Sequence, residues 1–153
     1  SRAAEKLRRQ RQRAGAVTVF VRSSPFNGTR FYSNAATVVL PLPSNDTAVL
    51  LAAVLPLAER LFRPHKPLQK AGVLLQDLQP IALLQHHLLA PLEPREQRRR
   101  ETLMATIDDL NHRFGSGTVQ WAACGLQPAW RMRRSRLSRA ATTRIGDIPT
   151  AWA

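Results

Sequence analysis

The chain has 153 residues, 44% of them hydrophobic and 22% charged, which is about one domain's worth of ordinary globular composition. Its formal charge of +13, with a pI near 11.7, points to a polyanionic partner, most simply nucleic acid. No apolar run approaches the ~18 residues of a membrane helix, and the single cysteine, Cys124, excludes an internal disulfide framework and a Cys-rich zinc site. The opening Ser1-Arg2 carries no signal-peptide pattern, so the chain reads as a piece of something longer.

The charge sits at the ends. Residues 1–15 and 124–153 each hold six basic residues against one acidic residue, while residues 80–123 hold five of each. Three regions follow: a basic arm over 1–15, a folded domain over 16–123 and a basic extension over 124–153. Residues 2–13 favour helix by propensity, but Leu7 is their only large apolar side chain, so they read as an exposed linker or the end of a preceding helix. Gly15 breaks that pattern.

The β-branched and aromatic run Val17–Arg22 predicts a first strand, followed by turn chemistry at Ser23–Gly28. Ala36–Leu40 predicts a second strand stopped by Pro41 and Pro43. Ser44 suits a helix N-cap, and Leu50, Val54, Leu57 and Leu61 then recur as one helix face. Pro56 inside that helix predicts a kink, at a cost of about 3 kcal/mol. Lys66–Leu78 predicts a third strand, with Ala71, Val73 and Leu75 on one side and Lys66, Leu68, Lys70, Gly72 and Leu74 on the other. Pro80–Pro94 reads as a loop. Leu103, Ile107, Leu110 and Phe114 mark a second helix face, Gly115 its C-cap, and Thr118–Ala122 a fourth strand.

These elements predict an α+β fold: a two-layer sandwich with a four-stranded sheet and two helices on one face. The other face stays open, and strict alternation places Thr18, Phe20, Arg22, Lys66, Lys70 and Gln120 on it. Such a surface suits phosphate tracking, although the same residues would serve as an ordinary solvated face.

Several phrases, in order, resemble one family. They are Ala4-Glu5-Lys6-Leu7-Arg8, Val19-Phe20-Val21-Arg22-Ser23-Ser24-Pro25-Phe26, Tyr32-Ser33-Asn34 and Lys70-Ala71-Gly72-Val73. Leu103-Met104 with Asp108 and Asn111 follows, then Trp130-Arg131-Met132-Arg133-Arg134, Leu137-Ser138 and Thr142-Thr143-Arg144. The set is similar to the C-terminal portion of UmuC-like Y-family translesion DNA polymerases. The resemblance implies that 1–15 is a basic linker at the end of a thumb. It implies that 16–123 is a little-finger domain gripping primer-template DNA, and that 124–153 is the family's C-terminal extension. It further implies a bacterial, cytoplasmic, nucleoid-associated protein.

Polymerase chemistry in that family belongs to a palm whose carboxylates hold magnesium, and these residues do not match it. A two-metal site needs carboxylates converging on a rigid scaffold, whereas Asp108-Asp109 is an adjacent pair that reads as a helix polar face. No catalytic residue, metal ligand or cofactor is therefore assigned to this chain. Adjacent His86 and His87 point apart and lack further ligands at metal-binding spacing.

The DNA contacts expected are Thr18, Arg22, Lys66, Lys70 and Gln120 on the sheet, with Arg131, Arg133 and Arg134 in the extension. Neutralising about four phosphates would give log K against log salt a slope near −3.6. By resemblance, Gln85, Leu88 and Leu89 fall where the family carries a sliding-clamp peptide. His86 stands in place of leucine and Leu89 in place of phenylalanine, and loss of that aromatic anchor should weaken docking by about 1 kcal/mol or more. Val39 replaces a basic residue of relatives, and Arg139-Ala140-Ala141 and Ile145 also depart from the family pattern. Two other readings stand beside DNA binding. One is a docking scaffold for the sliding clamp or for UmuD and RecA; the other is a basic RNA-binding protein.

Overall fold

A computed structural model describes residues 1–26, 31–82, 94–125, 146, 148 and 149. In chain order the elements are α1 (Arg2–Arg9), β1 (Gln12–Ser23), β2 (Ser33–Ser44), α2 (Thr47–Leu61), β3 (Leu68–Pro80) and α3 (Pro94–Phe114). A short 3-10 turn spans Ala122–Cys124. The architecture is α+β, and its sheet is antiparallel with strand order β2-β1-β3.

β1 is the central strand. Val17, Val19 and Val21 alternate onto one face and are almost fully buried. α1 and α2 lie on that face: Ala4 and Leu7 pack with Ala14, Val17, Leu40 and Leu50, while Leu57 and Leu61 pack with Val19 and Val21. The predicted apolar face of α2 is thus the buried one. Burying a leucine side chain stabilises the fold by roughly 2 kcal/mol, which makes this layer its main source of cohesion. α2 runs unbroken through Pro56, which faces solvent. The Ala52 carbonyl that loses its helical donor there is on an exposed residue, so water can supply the missing hydrogen bond.

Several expectations are corrected. The arm at residues 2–13 is not an exposed linker, because helix α1 buries Ala4 and Leu7 and β1 already begins at Gln12. β2 continues past Pro41 and Pro43 to Ser44. Its register against β1 jumps from Val39↔Ala16 to Ser44↔Ala14, so both prolines fall within an irregularity of an edge strand, where no ladder donor is required. The N-cap of α2 is Asp46, whose carboxylate accepts from the Ala48 N–H at 2.7 Å; the Ser44 hydroxyl accepts from the Asp46 N–H one step earlier.

The fourth strand is absent among the described residues. Thr118–Gln120 form a turn against the end of α3, and the Asn111 side chain takes both backbone groups of Val119. Its amide donates to the Val119 carbonyl at 3.1 Å and its oxygen accepts from the Val119 N–H at 2.9 Å. One side chain thereby replaces a ladder partner. The sheet has three strands, and the two-layer sandwich of four strands with two helices on one face gives way to this smaller form. Gly115, at φ +107°, does terminate α3 as its position suggested.

α3 is also rotated from the expected orientation. Leu103 and Phe114 are 49% and 71% exposed, whereas Met104 is 3% exposed. Ile107 and Leu110 are half-buried, and on the side of Met104 Asp108 and Glu101 pair with Arg8 and Arg13 of the body, while Arg100 bonds Glu96 of its own helix at 2.7 Å and lies 3.9 Å from Asp46. No helix among the described residues is long and apolar enough to cross a membrane.

Candidate nucleic-acid interface

The face of the sheet opposite α1 and α2 is built in cross-strand rows. Arg22 lies beside Ser33 and Lys70, Phe20 beside Ala35 and Gly72, and Thr18 beside Thr37 and Leu74. Ala35, Thr37, Lys70 and Leu74 are all exposed, so nothing described covers this face. Arg22 and Lys70 are exposed neighbours at one end of it, a pair of like charges with no acid between them. A polyanion relieves their mutual repulsion, and this gives the end of the sheet its phosphate-attracting character.

Phe20 spreads over Gly72. A Cβ added at Gly72 would stand 2.4 Å from the Phe20 Cζ, so only glycine leaves room for the ring. The ring is half-buried and presents an aromatic surface beside the two cations. Thr18 behaves differently from a surface contact. It is 9% exposed, its hydroxyl lies 2.7 Å from that of Thr37, and it donates to Gln76 Oε1 at 2.6 Å. Because Thr18 has one hydroxyl proton and Gln76 Oε1 can only accept, Thr37 must be the donor to Thr18. The ladder Thr37–Thr18–Gln76 shapes the middle of the face.

Two expected members lie elsewhere. The pairing of β1 with β3 shifts from Arg22↔Lys70 to Ser23↔Leu68, so one residue, Gln69, bulges and alternation is lost there. Leu68 consequently packs with the α2-side core, and Lys66 sits outside the strand with its ammonium 5.1 Å from the centre of the Tyr32 ring. Tyr32 itself packs among the residues beneath α2 and donates its hydroxyl to the Leu61 carbonyl at 3.0 Å. Gln120 is in the turn after α3, donating to the Gly117 carbonyl at 2.6 Å. The structure thus brings together Thr18, Arg22 and Lys70 but not Lys66 or Gln120. Gln85, Leu88, Leu89, Arg131, Arg133 and Arg134 lie outside the described residues.

Sequence reasoning missed the role of Arg8. Its guanidinium grips Asp108 through two bonds, Nε to Oδ2 at 2.6 Å and Nη2 to Oδ1 at 2.7 Å, and its Nη1 donates to the Asn45 carbonyl and to Thr47 Oγ1. One half-buried arginine therefore joins α1, the start of α2 and α3. Asp108 is a structural anchor, and Asp109 forms an i,i+4 ion pair with Arg113. The Arg8–Asp108 role is not readable from spacing, because the partners are 100 residues apart, whereas Asp109 and Arg113 stand at the ordinary i,i+4 spacing of a helix ion pair. Among the described residues no group of three His, Cys, Asp or Glu side chains converges to hold a metal ion.

By its fold and its surface, the chain is an α+β module with an open sheet face carrying paired cations at one end. Comparison with known proteins narrows that class. Residues 1–88 match the model of the impB/mucB/samB family C-terminal domain, and residues 101–151 match a domain of unknown function, DUF4113. The chain is 43% identical to protein ImpB over 151 residues and 41% identical to protein SamB over 151 residues, both from Salmonella typhimurium. It is 35% identical over 149 residues to protein UmuC from Salmonella typhimurium strain LT2. These alignments cover 97–98% of this chain and 35% of each relative. The chain belongs to the impB/mucB/samB family and corresponds to the C-terminal portion of a UmuC-like protein, spanning about a third of the length of its curated relatives. No solved structure matches it significantly.

Proposed function

We propose that this chain is the DNA-gripping C-terminal portion of a Y-family translesion polymerase, holding primer-template DNA without reading its sequence. The observation that carries the reading is the uncovered sheet face, with Arg22 and Lys70 side by side and the Phe20 ring next to them, in a member of this family. Cations that attract phosphate supply affinity without sequence selection. The polymerase reaction and its magnesium would belong to a palm outside these residues, so the chain alone would catalyse nothing. A cytoplasmic, nucleoid-associated location follows from the same reading. Sliding-clamp docking through Gln85, Leu88 and Leu89, and association with UmuD and RecA, rest on the resemblance alone.

The test is fluorescence anisotropy on primer-template DNA at two salt concentrations. Two phosphates neutralised by Arg22 and Lys70 account for about −1.8 of the slope of log K against log salt. The double substitution Arg22→Gln/Lys70→Gln should remove that amount. An unchanged slope would overturn the assignment of the sheet face as the DNA grip.

A further inference from the structure

Helix α1 sorts its cations. Arg8 is consumed by Asp108, Asn45 and Thr47, whereas Arg2, Lys6 and Arg9 are exposed and their side chains hold no hydrogen bond or ion pair among the described residues. Steps of four and three residues put these three on one helix face. With Glu5, and with Ser116 from the turn after α3, they line a cleft of about 260 Å³. Ser116 is set there between Gly115 and Gly117, both at positive φ, which lets the chain double back beside α1.

We propose that this cleft binds the backbone of a single-stranded nucleic acid, as a second contact separate from the sheet face. The location makes it separate. α1 buries Ala4 and Leu7 in the layer beneath Val17, so its outward side lies opposite the face bearing Arg22 and Lys70. The arrangement suits a linear polyanion. Arg2 and Arg9 are about 10 Å apart along the helix at 1.5 Å per residue, so with Lys6 between them the three cations form a row rather than a single cluster. A strand laid along the cleft presents successive phosphates to Arg2, Lys6 and Arg9 in turn. Glu5, inside the row, lowers the local charge and further disfavours a single compact anion. The Ser116 hydroxyl supplies a donor on the opposite wall.

The probe is a fluorescein-labelled twelve-nucleotide oligo(dT), titrated by anisotropy into the full chain at two salt concentrations. Single strands contribute about 0.7 to the salt slope per neutralised phosphate. Arg2→Gln/Lys6→Gln/Arg9→Gln should therefore reduce the slope by about 2 and weaken low-salt binding at least about tenfold. A matched triple, Arg60→Gln/Arg63→Gln/Arg99→Gln, removes the same charge from exposed residues that do not line the cleft and should cost less. Equal losses from the two triples, or no loss from the first, would overturn the proposal. Ser116→Asp, which leaves α1 untouched, should weaken the probe to a similar degree, and its indifference would count equally against the cleft. Because Arg22 and Lys70 remain intact in all three variants, failure here leaves the sheet-face reading standing, and the primer-template test can fail without affecting this one.

Discussion

The two long helices are held by different physics. α2 lies on β1 and β2 through Leu50, Leu57 and Leu61, each at most 7% exposed, so hydrophobic burial fixes it. α3 is fastened mainly by charge: Arg8 to Asp108, Arg13 to Glu101 at 3.2 Å and Arg100 near Asp46 at 3.9 Å, with Met104 as its one buried large side chain. Burial is non-directional and resists salt, while ion pairs are directional and are screened when exposed. α2 is thus part of the core, and α3 is a latched element whose hold depends on a few specific bonds. The family boundaries run parallel to this division, since α3 begins between the two matched domains and continues into the second.

The sharpest way to break the comparison is to cut into the α2 layer. Leu57→Ala should cost about 2–5 kcal/mol of global stability by urea denaturation; a loss under 1 kcal/mol would show that the layer is not the core. Met104→Ala should fall near the lower end of that range, about 2 kcal/mol, because it is the sole deep apolar anchor of α3. Arg8→Ala and Asp108→Ala should each cost roughly 1–3 kcal/mol, with a double-mutant coupling near 1 kcal/mol or more. In hydrogen exchange those variants should deprotect α3 while leaving β1 protected. Uniform deprotection would mean that the latch and the core unfold together. The smallest effect belongs to Arg113→Ala, which removes an exposed i,i+4 pair and should stay within about 0.5 kcal/mol.

The contrast also explains what was legible in advance. The apolar face of α2 was readable because leucines at steps of four and three leave one side to bury. The same pattern on α3 was half legible: Ile107 and Leu110 are half-buried, but Leu103 and Phe114 face solvent while Met104, Glu101 and Asp108 turn to the body, the two acids meeting partners that spacing does not reveal. The open face was legible at Phe20, Arg22 and Lys70, where β1 and β3 pair regularly. It failed at Lys66, where the bulge at Gln69 resets the alternation, and at Gln120, because Asn111 captures Val119 before a strand can form. The two additions, the Arg8 anchor and the Thr37–Thr18–Gln76 ladder, needed the register of three strands and the approach of distant helices.

Local chemistry in the sequence determined the α+β class, the presence and order of three strands and the two long helices, the basic character and the family resemblance. These follow from propensity, periodicity and motif order, which act over a few residues at a time. Tertiary structure decided which face of α3 turns inward, that α1 belongs to the core, that the sheet stops at three strands among the described residues, and which cations remain free. Each of those outcomes depends on a donor meeting an acceptor, or a charge meeting its opposite, from a remote part of the chain. Arg8 and Arg9 are neighbours of one residue type, and only the arrival of Asp108 makes the first an anchor and leaves the second open to solvent.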